Sequence, residues 1–403
     1  MRRARSLRLI AGVTAAAIAL AACGNSSTPG SSTSANSTSS VAATTGGSST
    51  GGGTGAGGCA TETIDTAGVT SAAESSSAAE SSSAAATGGG APLQVGLAFD
   101  TGGRGDGTFN DSAASGADRA ETDLGVTVTE LEANSDDDRV PNLNTLTQNK
   151  NNPIIAVGFL WTDTVAAAAA ANTDLTYAII DSVVDEPNVK SLVFAEEQGS
   201  FLVGAAAALK STTCKIGFIG GQEGALIKRF EAGYRAGAKA VAPDIEIESS
   251  YLGAEGDNAA WNSPDKAKEI AKNWYSAGTD IIYSAAGGSG AGTVDAATEA
   301  TAAGTQKWAI GVDSDTYLLA TPEQQKVILT SMLKRVDEAV YQTIEQVQAG
   351  DTAGGTKVFD LSTNGVGYST SGDYLTDIVP QLEALKQQIV DGEITVPTDP
   401  ADA

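Results

Sequence analysis

Between Gln94 and Ser331, short apolar runs alternate with segments of helical period, and no other feature of the chain narrows its architecture as much. The runs are QVGLAFD (94–100), IIAVGF (154–159), YAIID (177–181), SLVFA (191–195), KIGFIGG (215–221), IEIESSYL (245–252), DIIYSAA (280–286), KWAIGVD (307–313) and KVILTS (326–331). Ala-rich or amphipathic stretches such as SFLVGAAAALK, LIKRFEAGYRAGAKAV, SPDKAKEIAKNWYSAG and KRVDEAVYQTIEQVQAG separate them. Strand followed by helix, repeated in this way, predicts an α/β chain whose parallel sheets are covered by helices on both faces.

Open parallel sheets bind ligands outside the carboxyl ends of their strands. Asp100, Asp181, Gly287 and Asp313 fall at or just after such ends, and Phe109, Asn110 and Trp261 lie in the loops that follow. Ser263 and Pro264 read as an N-cap with proline at the first helical position, and Gly278 closes the same helix. The loop before Ser263, which carries Trp261, therefore faces the expected cleft.

The first ninety residues have a different character. Arg2, Arg3, Arg5 and Arg8 precede an apolar run from Leu9 to Ala22, the pattern of a signal peptide. LAAC at Leu20–Cys23 resembles a bacterial lipobox, which implies cleavage before Cys23 and a lipid on its sulfur. Residues 23–91 then read as the lipidated cysteine and a disordered Ser/Gly/Ala tether, because so few apolar side chains cannot offset the entropy of ordering. Of the remaining cysteines, Cys59 and Cys214 are too few for a disulfide framework. One bridge between them is open in an oxidising compartment, but a buried free thiol at Cys214 is the expectation. About 300 residues remain, enough for two domains. The formal charge of −25 disfavours nucleic acid or anionic lipid as partners.

The chain has no histidine, so Ser-His-Asp and Cys-His nucleophiles and His-containing zinc sites are excluded. GGRGDG (102–107) and GGSGAG (287–292) lack the spacing of a dinucleotide fingerprint, and neither is followed by a P-loop lysine. Arg104-Gly105-Asp106 spells an adhesion tripeptide of a kind that arises by chance in a glycine-rich loop. DSDTY at Asp313 lacks the glycine and final glutamate of an EF-hand, and NSDDDR (134–139) reads as a solvated turn. Asp100, Asp181 and Asp313 could serve a carboxylate-only glycosidase, yet acids at strand ends also bind hydroxyl groups without reaction.

Several segments together resemble the basic membrane protein family of lipoproteins, purine-nucleoside-binding components of ABC transporters. They are AFDTGGRGDGTFN, FAEEQGSFLVGAAAA (194–208), KIGFIGGQ (215–222), the PDKAKEIA helix with its preceding aromatic, IIYSAAGGSGAG, AIGVDSD (309–315) and ILTSMLKRVDEAV (328–340). The resemblance implies a type I periplasmic-binding fold of two Rossmann-like lobes joined by hinge crossovers. The expected boundaries are 92–212 with a return at about 316–355 for the first lobe, and 213–315 with a return at about 356–398 for the second.

The same resemblance implies the site. Phe109 and Trp261 would stack on the two faces of a purine, with Trp261 where the family usually has phenylalanine. Asn110 and Asp100 would meet the base, while Gly287, Asp313 and Lys334 would surround the ribose and Asp181 would touch ligand or hinge. No enzyme activity, cofactor or metal is implied. The partners are a nucleoside, ABC permease subunits and, through Cys23, the extracytoplasmic face of the cell membrane, with the protein a monomer that binds no nucleic acid. Read from the residues alone, the site also suits a sugar or other small metabolite, and the chain could report ligand to a signalling partner.

Overall fold

The computed structural model describes residues 59–66 and 92–403. The predicted signal peptide, the lipidation site at Cys23 and the remainder of the tether lie outside them. The chain opens with β1 (Gln94–Phe99), α1 (Phe109–Leu124), β2 (Thr127–Glu132), α2 (Asp136–Gln148), β3 (Ile154–Ala156), α3 (Thr162–Ala171), β4 (Tyr177–Ile180) and β5 (Val189–Phe194). It crosses at Ala195 into α4 (Glu196–Lys210), β6 (Lys215–Gln222), α5 (Ala225–Val241), β7 (Glu246–Gly253), α6 (Pro264–Ser276), β8 (Ile281–Ala285), α7 (Ala291–Ala302) and β9 (Trp308–Asp313). Two short helices, α8 (Thr316–Leu319) and α9 (Pro322–Gln325), lead to β10 (Ile328–Lys334). Then come α10 (Val336–Gln348), β11 (Gly355–Phe359), β12 (Val366–Tyr368) and α11 (Val379–Val390).

The strands form two six-stranded sheets, ordered β11-β5-β4-β3-β1-β2 and β12-β10-β9-β8-β6-β7. Every pairing is parallel except that of β10 with β12. The central strands are buried along their whole length, as in Tyr177–Ile180 and Ile281–Ala285, because helices cover both faces. This accounts for their uninterrupted apolar sequences. β2, β11 and β12 are absent from the predicted strands for the opposite reason: they lie at sheet edges, with polar or glycine-containing sequences and at most one buried residue each.

Three passages join the lobes, at Ala195, at Arg335 and through residues 360–365. They run beside one another, with Ala195 N donating to Phe359 O and Arg335 N to Gly365 O, both at 2.9 Å. These positions correct the expected boundaries. Helix α4 and strand β10 belong with the second sheet, and β11 belongs with the first. Backbone proximity decides where α4 goes: a Cβ on Gly204 would sit 2.1 Å from Tyr234 O of α5, and one on Gly237 would sit 1.9 Å from Phe201 O. Such close packing needs glycine on both helices, and strand–helix alternation alone does not say which sheet a helix covers.

At the start of α6, Pro264 occupies the first turn and Gly278 follows its end with φ +108°. Ser263 sits at the cap position, but its hydroxyl donates to Ala259 O and leaves the helix uncapped by a side chain.

Part of the expected tether is docked on the body. Cys59 is bonded to Cys214, with their Cα atoms 4.9 Å apart, and Glu62 N donates to Val241 O at 2.7 Å. Cys59 and Ile64 also pack against the core. Cys214 is therefore not a free thiol, because apolar contacts and a backbone hydrogen bond bring Cys59 to it. The bridge closes a loop with a sequence separation of 155, which contains β1 to β5 and α4. Cys59→Ser should lower the unfolding free energy by about 2–4 kcal/mol. Urea denaturation with and without reductant checks this, since reductant should weaken the wild type and leave the variant unchanged.

Candidate functional site

The loop after β1 is shaped by carboxylates and glycines. Gly102, Gly103, Gly105 and Gly107 all have φ between +60° and +105°, a region that disfavours side chains. Asp106 accepts from the backbone N–H groups of Thr108 (2.9 Å), Asn110 (2.9 Å) and Asp111 (3.1 Å), and from Asn110 Nδ2 (3.0 Å). Asp111 accepts from Gly105 N and Gly107 N. With Thr108 capping α1 through its hydroxyl, Phe109 is delivered to the cleft at the first residue of that helix.

Asn110 lines the same cleft, but its amide is engaged within the loop. Its Oδ1 accepts from Asp100 N at 3.0 Å and its Nδ2 donates to Asp106. Both ends of its amide therefore hold the loop in shape at the cleft wall. Arg104 pairs outward with Asp118 (2.7 Å) and Glu130 (2.8 Å) while Asp106 turns inward, so the RGD tripeptide is not displayed.

The cleft lies between the carboxyl ends of the two sheets. Asp100, Phe109 and Asp181 reach it from the first lobe, and Trp261, Gly287 and Asp313 from the second. Lys334 enters from the last residue of β10, beside the Arg335 passage. The indole of Trp261 lies over Gly221, where a Cβ would stand 2.3 Å from the ring. The structure adds Phe159, Leu226 and Phe230 to the wall. Phe159 meets Trp261 edge-on across the lobes, with ring centres 6.3 Å apart and planes at 72°.

Lys334 is the centre of the charge arrangement. Its side chain is 3% exposed, and Nζ stands 2.5 Å from Asp181 Oδ2 and 3.9 Å from Asp313 Oδ1. It also lies 4.6 Å from the ring centre of Phe109 and 5.1 Å from that of Phe194. Burial works to lower its pKa, but the carboxylates of Asp181, Asp313 and Glu196 outweigh burial and hold it raised. Glu196, the first residue after the Ala195 passage, completes the cluster.

Lys334 faces three acids, one of which, Glu196, also pairs with Arg229 at 3.3 Å. Burial, aided by the nearby Asp181 and Asp106 charges and opposed by Lys334, pushes Asp313 up to about 7. Burial and the Asp181 charge push Glu196 up to about 8, against Lys334 and Arg229. Asp181 Oδ1 and Asp313 Oδ1 are buried and accept no hydrogen bond from the described residues. Both residues adopt left-handed backbone, with φ +65° and +63°. Strain of this kind, which costs about 1–3 kcal/mol per residue, concentrates at binding sites.

Arg139 ends the acidic run 134–139, whose sequence reads as a solvated turn, and the structure adds it as a partner of the site. Its side chain is 6% exposed and donates to Asp100 Oδ1 at 2.8 Å. Burial raises the Asp100 pKa and Arg139 opposes that rise. Arg139 has a helical offset of three from Asp136, its other partner, and that spacing was the available signal.

Two α/β lobes, three passages between them and an aromatic and acidic cleft at the facing strand ends define a solute-binding protein that clamps its ligand. The sequence profile of the family described as ABC transporter substrate-binding protein PnrA-like, or Bmp, matches residues 93–400. The chain belongs to this family, whose members are substrate-binding components of transporters and not enzymes. It is 36% identical over 321 residues to the CD4+ T-cell-stimulating antigen of Listeria innocua serovar 6a, covering 76% of this chain and 88% of that protein. It is 35% identical over 325 residues to the ABC transporter nucleoside-binding protein BmpA of Lactococcus lactis, covering 76% and 89%. Among solved structures, an ABC transporter solute-binding protein from Aeropyrum pernix K1 superposes with a TM-score of 0.67 at 30% identity, covering 76% of this chain and 94% of that one. No helix of the described residues is long and apolar enough to cross a membrane.

Proposed function

We propose that this protein captures a nucleoside between its lobes and delivers it to an ABC permease, working as a monomer held to the extracytoplasmic face of the membrane by lipid on Cys23. The observation that carries the ligand assignment is the pairing of two ring-bearing walls with buried, unbonded carboxylate oxygens. Phe109 and Trp261 approach one cleft from opposite lobes, an arrangement suited to a planar heterocycle. Asp313 Oδ1 and Asp181 Oδ1 require hydrogen-bond donors, and a ribose diol supplies two. Lys334 donates beside them and offsets their charge. A relative named as nucleoside-binding supports the same reading.

Stacking on an aromatic side chain contributes about 1–3 kcal/mol per base. Phe109→Ala and Trp261→Ala should therefore each weaken binding by roughly 10- to 100-fold. Calorimetry with adenosine, guanosine, inosine, cytidine and uridine tests the reading, and absence of heat with all five would sink it. If only one ring matters, the sugar reading gains, since a sugar stacks through a single C–H face. Mass spectrometry of membrane-extracted protein, compared with Cys23→Ala, tests the anchor.

A further inference from the structure

Arg139 does not line the cleft, yet it joins the cleft to the place where the lobes meet. One arm of its guanidinium holds Asp100 Oδ1 at 2.8 Å, and the other holds Asp136 Oδ1. That same Asp136 oxygen accepts from Asn258 Nδ2 of the second lobe at 2.5 Å. Asn258 is itself fixed by Gln222, whose Nε2 donates to Asn258 Oδ1 at 2.7 Å and whose Oε1 accepts from Gly256 N at 3.2 Å. Asn258 opens the helical turn Asn258–Asn262 that carries Trp261. A second route runs through rings: the guanidinium carbon is 5.9 Å from the ring centre of Trp161, and Trp161 ends the turn whose Phe159 meets Trp261.

Asp136 is 70% exposed. Left to itself, such a carboxylate samples many rotamers, and its bond to Asn258 would contribute little. Arg139 changes that, because its side chain is buried and its donors form a rigid planar fork. A carboxylate already fixed by that fork loses little further freedom when Asn258 arrives. The fork also makes the orientation at Asp136 depend on the orientation at Asp100, since both bonds belong to one plane.

We propose that Arg139 is a positioning residue that couples Asp100, on the ligand side, to closure of the Trp261 turn, with Asp136 and Asn258 as the latch between the lobes. The proposal rests on the nucleoside reading only for its choice of probe. Asn258→Ala should release a bound nucleoside about five- to tenfold faster while changing association less than about twofold, because a latch acts after encounter. Arg139→Lys keeps a positive charge beside Asp100 but cannot span both acids. In that background Asn258→Ala should add less than about twofold, where independent contacts would multiply.

Stopped-flow tryptophan fluorescence measures these rates, using whichever of adenosine, guanosine, inosine, cytidine or uridine the wild type binds. Unchanged release in Asn258→Ala, or multiplication of the two effects, overturns the coupling. Should Arg139→Lys fail to fold, Asp136→Ala takes its place: it should match Asn258→Ala singly and in combination, and multiplication again overturns the proposal. Small-angle scattering of ligand-free protein gives a readout independent of ligand identity. Asn258→Ala, Arg139→Lys and the double variant should share one radius of gyration larger than that of the wild type, and unchanged radii overturn the coupling. If no nucleoside binds the wild type, the functional reading fails while the scattering result still decides the latch.

Discussion

Replacing Lys334 by methionine is expected to lower the unfolding free energy by about 3–5 kcal/mol at pH 8, the range for breaking a buried ion pair by removing one partner. Methionine keeps much of the apolar stem, so the loss reports charge and not volume. Asp181, Asp313 and Glu196 would then share a buried site without the ammonium that faces them. The sign of the pH dependence follows. Removing the cation raises the folded-state pKa values of Asp313 and Glu196 further above their unfolded values, so the variant is relieved by proton uptake and its deficit shrinks toward pH 5. Urea denaturation at pH 5 and 8 checks both parts. A deficit below about 1 kcal/mol at pH 8 would mean that Lys334 does not hold the cluster together.

Asp313→Asn should move stability and binding in opposite directions. Asp313 is pushed up to about 7 from an ordinary 3.8, so the folded protein retains a proton that the unfolded chain has released. Stability from this group is fully present below pH 4 and is lost as pH rises to about 7. Asparagine cannot ionise, and at pH 8 the variant should gain on the order of 2–4 kcal/mol relative to the wild type. Nucleoside binding should weaken about 100-fold, since a charge-assisted acceptor for ribose hydroxyls is gone. Ligand contact favours the ionised acid, so wild-type affinity should rise roughly tenfold between pH 6 and pH 8. That dependence should disappear in Asp313→Asn, and calorimetry at the two pH values measures it. Equal affinity in the two proteins at pH 8 would remove Asp313 from the binding site.

Legibility varied with how local the cause was. The central strands could be read because burial on both faces demands continuous apolar sequence, whereas β2, β11 and β12 could not, since edge positions allow polar residues. Asp100, Asp181 and Asp313 were recognisable from their places at strand ends. The loop contacts of Asn110 were not, because nothing in the linear sequence pairs its amide with Asp100 N and Asp106. Arg139 was hidden in an acidic run: the partner that explains its burial, Asp100, is 39 residues away.

The amino-acid sequence alone determined the α/β class, the exclusion of histidine chemistry and the set of strand-end acids and rings from which a cleft could be built. Each follows from composition or from periodicity, which acts over a few residues. Tertiary structure alone decided that α4 and β10 belong to the second lobe, that Cys59 meets Cys214, and that Lys334 faces three carboxylates. These are pairings across about 20 to 155 residues of chain, selected by close backbone approach and by the cost of burying charge. A linear pattern records which groups exist, but their pKa values and hydrogen-bond needs arise only when folding removes water and chooses their neighbours.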